Sequence, residues 1–113
     1  VLITGAQEGI GRSIVKRFAE KGAAIAINWL DDKRKAEEIA EVAKDLGAQP
    51  FLIQGDVSVV SDARRLVSET VTEFGSIEIL VNNAGIFPRV SLLSMEENDW
   101  DQVIDVNLKG TFF

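Results

Sequence analysis

The 113-residue chain is 46% hydrophobic and 27% charged and carries a net charge of −6, enough to build a core in one domain or part of one, and an argument against disorder. An acidic chain with no basic cluster is poorly suited to nucleic acid or an anionic membrane, and no apolar run reaches the ~18 residues of a membrane span. Cysteine, histidine and tyrosine are absent, which excludes disulfides, thiolate metal sites and Ser-His-Asp or Cys-His machinery within these residues.

Val1–Ile3 reads as a short buried strand. It runs into a turn, Thr4-Gly5-Ala6-Gln7-Glu8-Gly9-Ile10-Gly11, and a helix predicted over Gly9–Lys21 follows, with Ile10, Ile14, Val15 and Phe18 at helical spacing. Gly22 stands where a helix C-terminus wants glycine. Ala23–Trp29, apolar apart from Asn28, reads as a strand buried on both faces. Asp32–Leu46 predicts a second helix, with Ala36, Ile39, Ala40, Ala43 and Leu46 as its stripe, and Pro50–Gln54 a third strand. A third helix, capped by Ser61 or Asp62, would turn Ala63, Leu66, Val67, Thr70, Val71 and Phe74 inward and end at Gly75. Glu78–Val81 reads as a fourth strand and Asn82–Glu97 as loop. One helix over Glu97–Phe113 is expected to group Trp100, Val103, Ile104, Asn107, Leu108 and Thr111 on one face. The β-α-β-α-β-α-β-α order implies an α/β doubly wound parallel sheet of about four strands, joined by right-handed crossovers. The chain begins inside an apparent strand and stops inside an apparent helix. Residues 1–113 are therefore read as a segment of one domain of a longer protein, cut at both ends, with the cytoplasm expected from the lack of a signal peptide or membrane span.

The glycine turn follows a strand and opens a helix, the context that a dinucleotide fingerprint requires, although its Gly5-x-x-x-Gly9-x-Gly11 spacing is longer than G-x-G-x-x-G. A helix opening there offers unpaired N–H groups and the positive end of its dipole to an anion. The bland alternative is a tight turn of any α/β protein. A Walker-type nucleotide site is disfavoured because Gly11 is followed by Arg12-Ser13, where that pattern needs Gly-Lys. Asp56, after the third strand, could accept a hydrogen bond from an exocyclic amine such as adenine's, or cap the next turn. Asn82-Asn83-Ala84-Gly85, after the fourth strand, could bring main chain close to a ribose, or serve turn chemistry alone. Ligands of doubly wound sheets lie beyond these carboxyl ends. Asn107 lies on the apolar face of the last helix, where a buried amide needs partners.

These motifs together resemble the short-chain dehydrogenase/reductase family. Thr4-Gly5-Ala6-Gln7-Glu8-Gly9-Ile10-Gly11 matches its TGxxxGIG cofactor motif, Asp56-Val57 its adenine-contacting pair, Asn82–Gly85 its NNAG motif and Asn107 its catalytic-site Asn. Within the family the segment is similar to 3-oxoacyl-carrier-protein-reductase-like and glucose-dehydrogenase-like members. The resemblance implies a Rossmann-type sheet that binds NAD or NADP and supports hydride transfer between the nicotinamide and a carbonyl or alcohol substrate. It implies that Gly5, Gly9 and Gly11 shape the turn under the pyrophosphate and that Gln7, Glu8 and Ile10 line the adenosine and phosphate side. Asp56 and Val57 would hold adenine, Asn83, Ala84 and Gly85 would lie along the ribose, and Asn107 would position a water in a proton relay. It further implies a homo-oligomer, a dimer or tetramer. The family's Ser and Tyr-x-x-x-Lys belong beyond the position of Phe113, so the segment would supply cofactor binding and be inactive alone. A non-catalytic dinucleotide binder or sensor is the alternative, and a downstream Tyr-x-x-x-Lys separates the two. Asp31 and Asp32 stand about 20 residues after Gly11, where an acidic residue would bind a ribose 2′-OH. Together with Glu8 they lean the reading towards NAD, against Lys33, Arg34 and Lys35 nearby.

Overall fold

The computed structural model describes residues 1–113. Strands β1 (Leu2–Ile3), β2 (Ala24–Trp29), β3 (Gln49–Gln54) and β4 (Leu80–Val81) alternate with helices α1 (Gly9–Ala19), α2 (Lys33–Asp45) and α3 (Val60–Phe74). After β4 come a single 3₁₀ turn (Leu92–Ser94), α4 (Glu97–Ile104), a π turn (Asp105–Lys109) and α5 (Gly110–Phe112). All strands are parallel, in the order β3-β2-β1-β4. The chain winds outward from β1 to β3, then crosses back to pair β4 with the other side of β1. This makes the β1/β4 boundary the switch point of a doubly wound sheet, as the β-α alternation predicts. No helix is long and apolar enough to cross a membrane.

The central strands are buried on both faces because successive side chains point to opposite sides. Ile3, Ile25 and Ile27 pack with Val15, Ala19, Ile39 and Ala43 under α1 and α2. Leu2, Ala26 and Ile53 pack with Val57 and Leu66 under α3 on the other face. Alanines line the inner stripe of α2, which brings that helix close to the sheet. Its first turn is held by Asp32, whose carboxylate accepts the Lys35 N–H at 3.0 Å.

Three local expectations are corrected. The cap of α3 is neither Ser61 nor Asp62: the helix begins two to three residues earlier, with Val59 in the capping position and no side-chain cap. Asp62 instead reaches back to the backbone N–H of Asp56 at 2.9 Å. Val67 and Val71 are about two-fifths exposed rather than inward, because the part of the sheet beneath their side of α3 ends at β4. The last segment is not one regular helix. A π turn interrupts it between α4 and α5, which turns Asn107 and Leu108 to an exposed surface, and Trp100 and Leu108 are 60% and 64% exposed.

Candidate functional site

The carboxyl ends of all four strands meet at one rim. The glycine turn leaves β1 there and enters α1. Gly5 has φ +59°, and a Cβ on it would lie 2.8 Å from the Ala84 Cα, so only glycine fits both the conformation and the neighbour. Gly11 serves by size alone: a Cβ there would come within 2.5 Å of the Gly5 carbonyl oxygen and 2.6 Å of the Asn83 amide nitrogen. The N-terminus of α1 carries no side-chain cap. Glu8, in the capping position, turns its carboxylate away to Lys35 Nζ at 2.6 Å. The opening N–H groups of α1 thus face the rim without a protein side chain on them, an arrangement that fits an anion.

The NNAG segment is bound directly to this turn. The Thr4 hydroxyl oxygen accepts the backbone N–H groups of Asn83 and Ala84, each at 3.0 Å. The Asn83 amide returns two bonds, to the Thr4 carbonyl at 2.9 Å and the Gly5 carbonyl at 3.0 Å. Asn83 is thereby a brace between β4 and the glycine turn, and its backbone and those of Ala84 and Gly85 line the rim. Asn107 pairs with one residue at both ends of its amide: it donates to the Ile86 carbonyl at 3.0 Å and accepts the Ile86 N–H at 2.9 Å. It is exposed rather than buried, and its Oδ1 would lie 3.2 Å from a Cβ on Gly85. It fastens the end of the NNAG segment to the π turn.

On the β3 side, Asp56 Oδ1 accepts the Ser58 N–H at 2.8 Å, while its own backbone N–H is held by Asp62. Arg65 ties this turn down, donating to the Gln54 carbonyl at 2.8 Å and to Asp62 at 3.2 Å. The Asp56 N–H, aided by Arg65, holds the Asp62 carboxyl below the usual carboxylate range. Val57 is buried against Leu66, and a Cβ on Gly110 would lie 2.9 Å from it.

A cavity of about 400 Å³ runs along this rim from the end of β3 to the end of β4. All the cofactor-site residues expected from the sequence line it except Gly9 and Gly11, which shape the turn beneath. The structure adds Asn28, Leu30, Gly55, Ile86 and Val106. Ile10 is 75% exposed, an apolar side chain beside the cavity with no protein partner on its outer side. Gln7 does not reach into the cavity with a free amide. Its carbonyl accepts the Leu30 N–H at 2.9 Å and its amide donates to Asp31 at 2.7 Å, which staples the turn to the end of β2.

The acidic groups behind the lean towards NAD do not stand free in this geometry. Glu8 is paired with Lys35, Asp32 caps α2 and lies 3.6 Å from the same ammonium, and Asp31 is occupied by Gln7. The Glu8 carboxylate raises the Lys35 pKa. Three carboxylates, Glu8, Asp31 and Asp32, thus stand beside the turn with one lysine between two of them.

A parallel sheet with its crevice at the switch point, a glycine turn and an uncapped helix end defines a doubly wound α/β domain whose crevice fits an anion. The model of the short chain dehydrogenase family matches residues 1–113, and the chain belongs to that family. It is 46% identical over 111 residues to the 3-oxoacyl-[acyl-carrier-protein] reductase FabG of Staphylococcus epidermidis, an alignment that covers 98% of this chain and 46% of that one. An uncharacterized oxidoreductase of Thermotoga maritima is 45% identical over 112 residues, 99% of this chain and 43% of the relative. The solved structure of a short-chain dehydrogenase/reductase from Serratia marcescens superposes with a TM-score of 0.94 at 32% identity, over 98% of this chain and 45% of that one. The chain thus spans slightly less than half the length of these relatives.

Proposed function

We propose that residues 1–113 form the N-terminal, cofactor-binding half of an NAD(P)-dependent oxidoreductase whose remaining half carries the Ser and Tyr-x-x-x-Lys. The observation that carries this reading is the uncapped start of α1, placed at the switch point between Asp56 and the NNAG backbone. When bound, the nicotinamide cofactor supplies or accepts the hydride that interconverts a carbonyl and an alcohol. Gly5, Gly9 and Gly11 let the pyrophosphate approach the N–H groups of α1. Asp56 and Val57 border the adenine end, and Asn83, Ala84 and Gly85 offer main chain to the ribose nearer the nicotinamide. Asn107 holds Ile86 and Gly85 in register. With its side-chain amide already bonded on both sides, its contribution to a proton relay falls to the main chain of the π turn.

The named function of the staphylococcal relative supports a 3-oxoacyl thioester on a carrier protein as the first substrate to try. The exposed loop with Phe87, Leu92 and Leu93, which follows the NNAG segment, is the apolar surface offered to an acyl chain. For the cofactor, NAD and NADP are both compatible with Lys35 held between Glu8 and Asp32, and the pair decides how a 2′-phosphate is received. We place the parent protein in the cytoplasm as a homo-oligomer. The test is to incubate the full-length parent with NADH or NADPH and a 3-oxoacyl thioester, and to follow cofactor oxidation. Cofactor-dependent turnover is expected. Tight binding of NAD(P) with no turnover on any carbonyl or alcohol, in a parent without Tyr-x-x-x-Lys, would instead identify the non-catalytic binder.

A further inference from the structure

Asn28 is an amide inside an apolar strand, 2% exposed, with neighbours Ile27 and Ile25 that are fully buried. A buried amide loses hydration that an apolar side chain would not, and is tolerated where its hydrogen bonds are complete. Those of Asn28 are complete and run to both sides of β2. Its Oδ1 accepts the backbone N–H of Gly5 at 3.0 Å, and its Nδ2 donates to the Gly55 carbonyl at 3.0 Å. Longer contacts reach the carbonyls of Trp29 and Ile53, at 3.3 and 3.4 Å. The Asn28 main-chain carbonyl accepts the Ala6 N–H at 2.8 Å. Gly5 begins the glycine turn on β1. Gly55 precedes Asp56 at the end of β3. Those strands are not adjacent, since β2 separates them. One side chain therefore joins the turn beneath the phosphate site to the turn that presents Asp56, and both border the same cavity.

We propose that Asn28 is a positioning residue for the cofactor: it fixes the spacing between the Gly5 turn and the Gly55–Asp56 turn, so that one rigid ligand meets both. The inference rests on the dinucleotide reading above. Asn28 acts through Gly5 and Gly55 and leaves no amide atom for the ligand. A shorter side chain frees the Gly5 N–H and the Gly55 carbonyl, and the two turns relax independently. An aspartate keeps an acceptor for Gly5 but sets a carboxylate against the Gly55 carbonyl oxygen. Protonation of that carboxyl, which burial favours, restores the donor and with it the pattern of Asn.

The experiment uses the full-length parent, with Kd for NAD and NADP measured by calorimetry, cofactor KM and kcat by turnover, and Tm for each variant. Asn28→Ala is expected to raise cofactor Kd and KM about 10- to 100-fold, the range expected for unpaired buried groups, with a much smaller change in kcat. Combined with Asp56→Ala, its effect is expected to be less than additive, because both changes remove the same adenine-side alignment. For Asn28→Asp, the KM relative to wild type at the same pH is expected to fall as pH is lowered from about 8 towards 6, as the buried carboxyl protonates. Should Asn28→Ala fail to fold, this pH response of Asn28→Asp decides. A lowered Tm with cofactor Kd within about twofold of wild type, full additivity with Asp56→Ala, or a pH-independent Asn28→Asp would each overturn the proposal. If the wild-type parent binds neither NAD nor NADP, the dinucleotide reading itself fails.

Discussion

The Thr4 hydroxyl oxygen accepts the backbone N–H groups of both Asn83 and Ala84 at 3.0 Å, across 79 and 80 residues of sequence. Thr4 is 7% exposed, so these donors have little water to turn to. Thr4→Val removes the acceptor, keeps the shape, and leaves two N–H groups unpaired. An unsatisfied buried donor costs about 1–3 kcal/mol, so the unfolding midpoint in urea should fall and cofactor KM should rise. Thr4→Ser should restore most of both. Equal behaviour of the Val and Ser variants would remove the hydroxyl from the account of the site.

The Glu8–Lys35 pair makes a prediction about cofactor choice that is independent of which cofactor the wild type prefers. Glu8→Gln removes the carboxylate at 2.6 Å from the Lys35 ammonium and frees that cation for a 2′-phosphate. The ratio of kcat/KM for NADP over NAD should rise several-fold, most at low ionic strength, because the pair is exposed and salt screens it. Lys35→Gln should move the ratio the other way. No movement in either variant would place the ribose 2′ position away from this pair.

How much of this was legible beforehand depends on how far apart the partners lie in sequence. The glycine turn, Asp56 and Asn82–Gly85 are visible because each is a local pattern at a strand end, and the β-α rhythm places those ends at one rim. The glycine requirement at Gly5 is local in φ, but its other cause, Ala84, lies across the sheet. Gln7, Glu8 and Asn28 are different. Gln7 bonds residues 23 and 24 positions away, Glu8 pairs 27 positions away, and Asn28 spans from Gly5 to Gly55. Helical or strand periodicity carries no information on such partners. The one available signal for Asn28 was an amide interrupting an apolar run. The cap of α3 was misplaced for a related reason: Asp62 looks like a capping residue, but the β3 turn claims its carboxylate before the helix can.

Asp62 supplies a prediction in pH. Its carboxyl is held below the usual range chiefly by the Asp56 N–H, with Arg65 second. A carboxylate with a lowered folded pKa contributes fully above its unfolded value of about 3.9, and the contribution is lost as pH falls through the folded value. Cofactor affinity should therefore be insensitive to this group between about pH 5 and 8 and weaken only in strong acid. Asp62→Asn should raise cofactor KM by about tenfold at neutral pH, as expected for loss of a charge-assisted hydrogen bond that positions Asp56. Arg65→Lys, which keeps charge but not the fork that reaches Glu69 with Nη1 and Gln54 and Asp62 with Nη2, should show a smaller rise. An Asp62→Asn enzyme with unchanged KM would show that the Asp56 turn holds its shape without the carboxylate.

The exposed apolar surface of the 113 residues yields the last prediction. β4 pairs with β1 on one side only, and its other edge has no strand partner. Leu80 on it is half exposed. Near that edge α5 leaves Phe112 80% exposed, while α4 and the π turn expose Trp100 and Leu108. The edge itself is short, but contiguous exposed apolar patches of this kind promote association. The smaller core, centred on Leu2, Ile53 and Leu66, depends on α3, which covers a sheet that stops at β4. Made alone, the 113 residues are expected to associate or to unfold without cooperativity on heating, and to bind NAD(P) far more weakly than the full-length parent does. Analytical ultracentrifugation followed by a thermal scan checks this. A monomer that melts in one sharp transition would show that the core under α1 and α2, built on Ile3, Ile25, Ile27 and Ile39, holds the sheet together without any cover on β4.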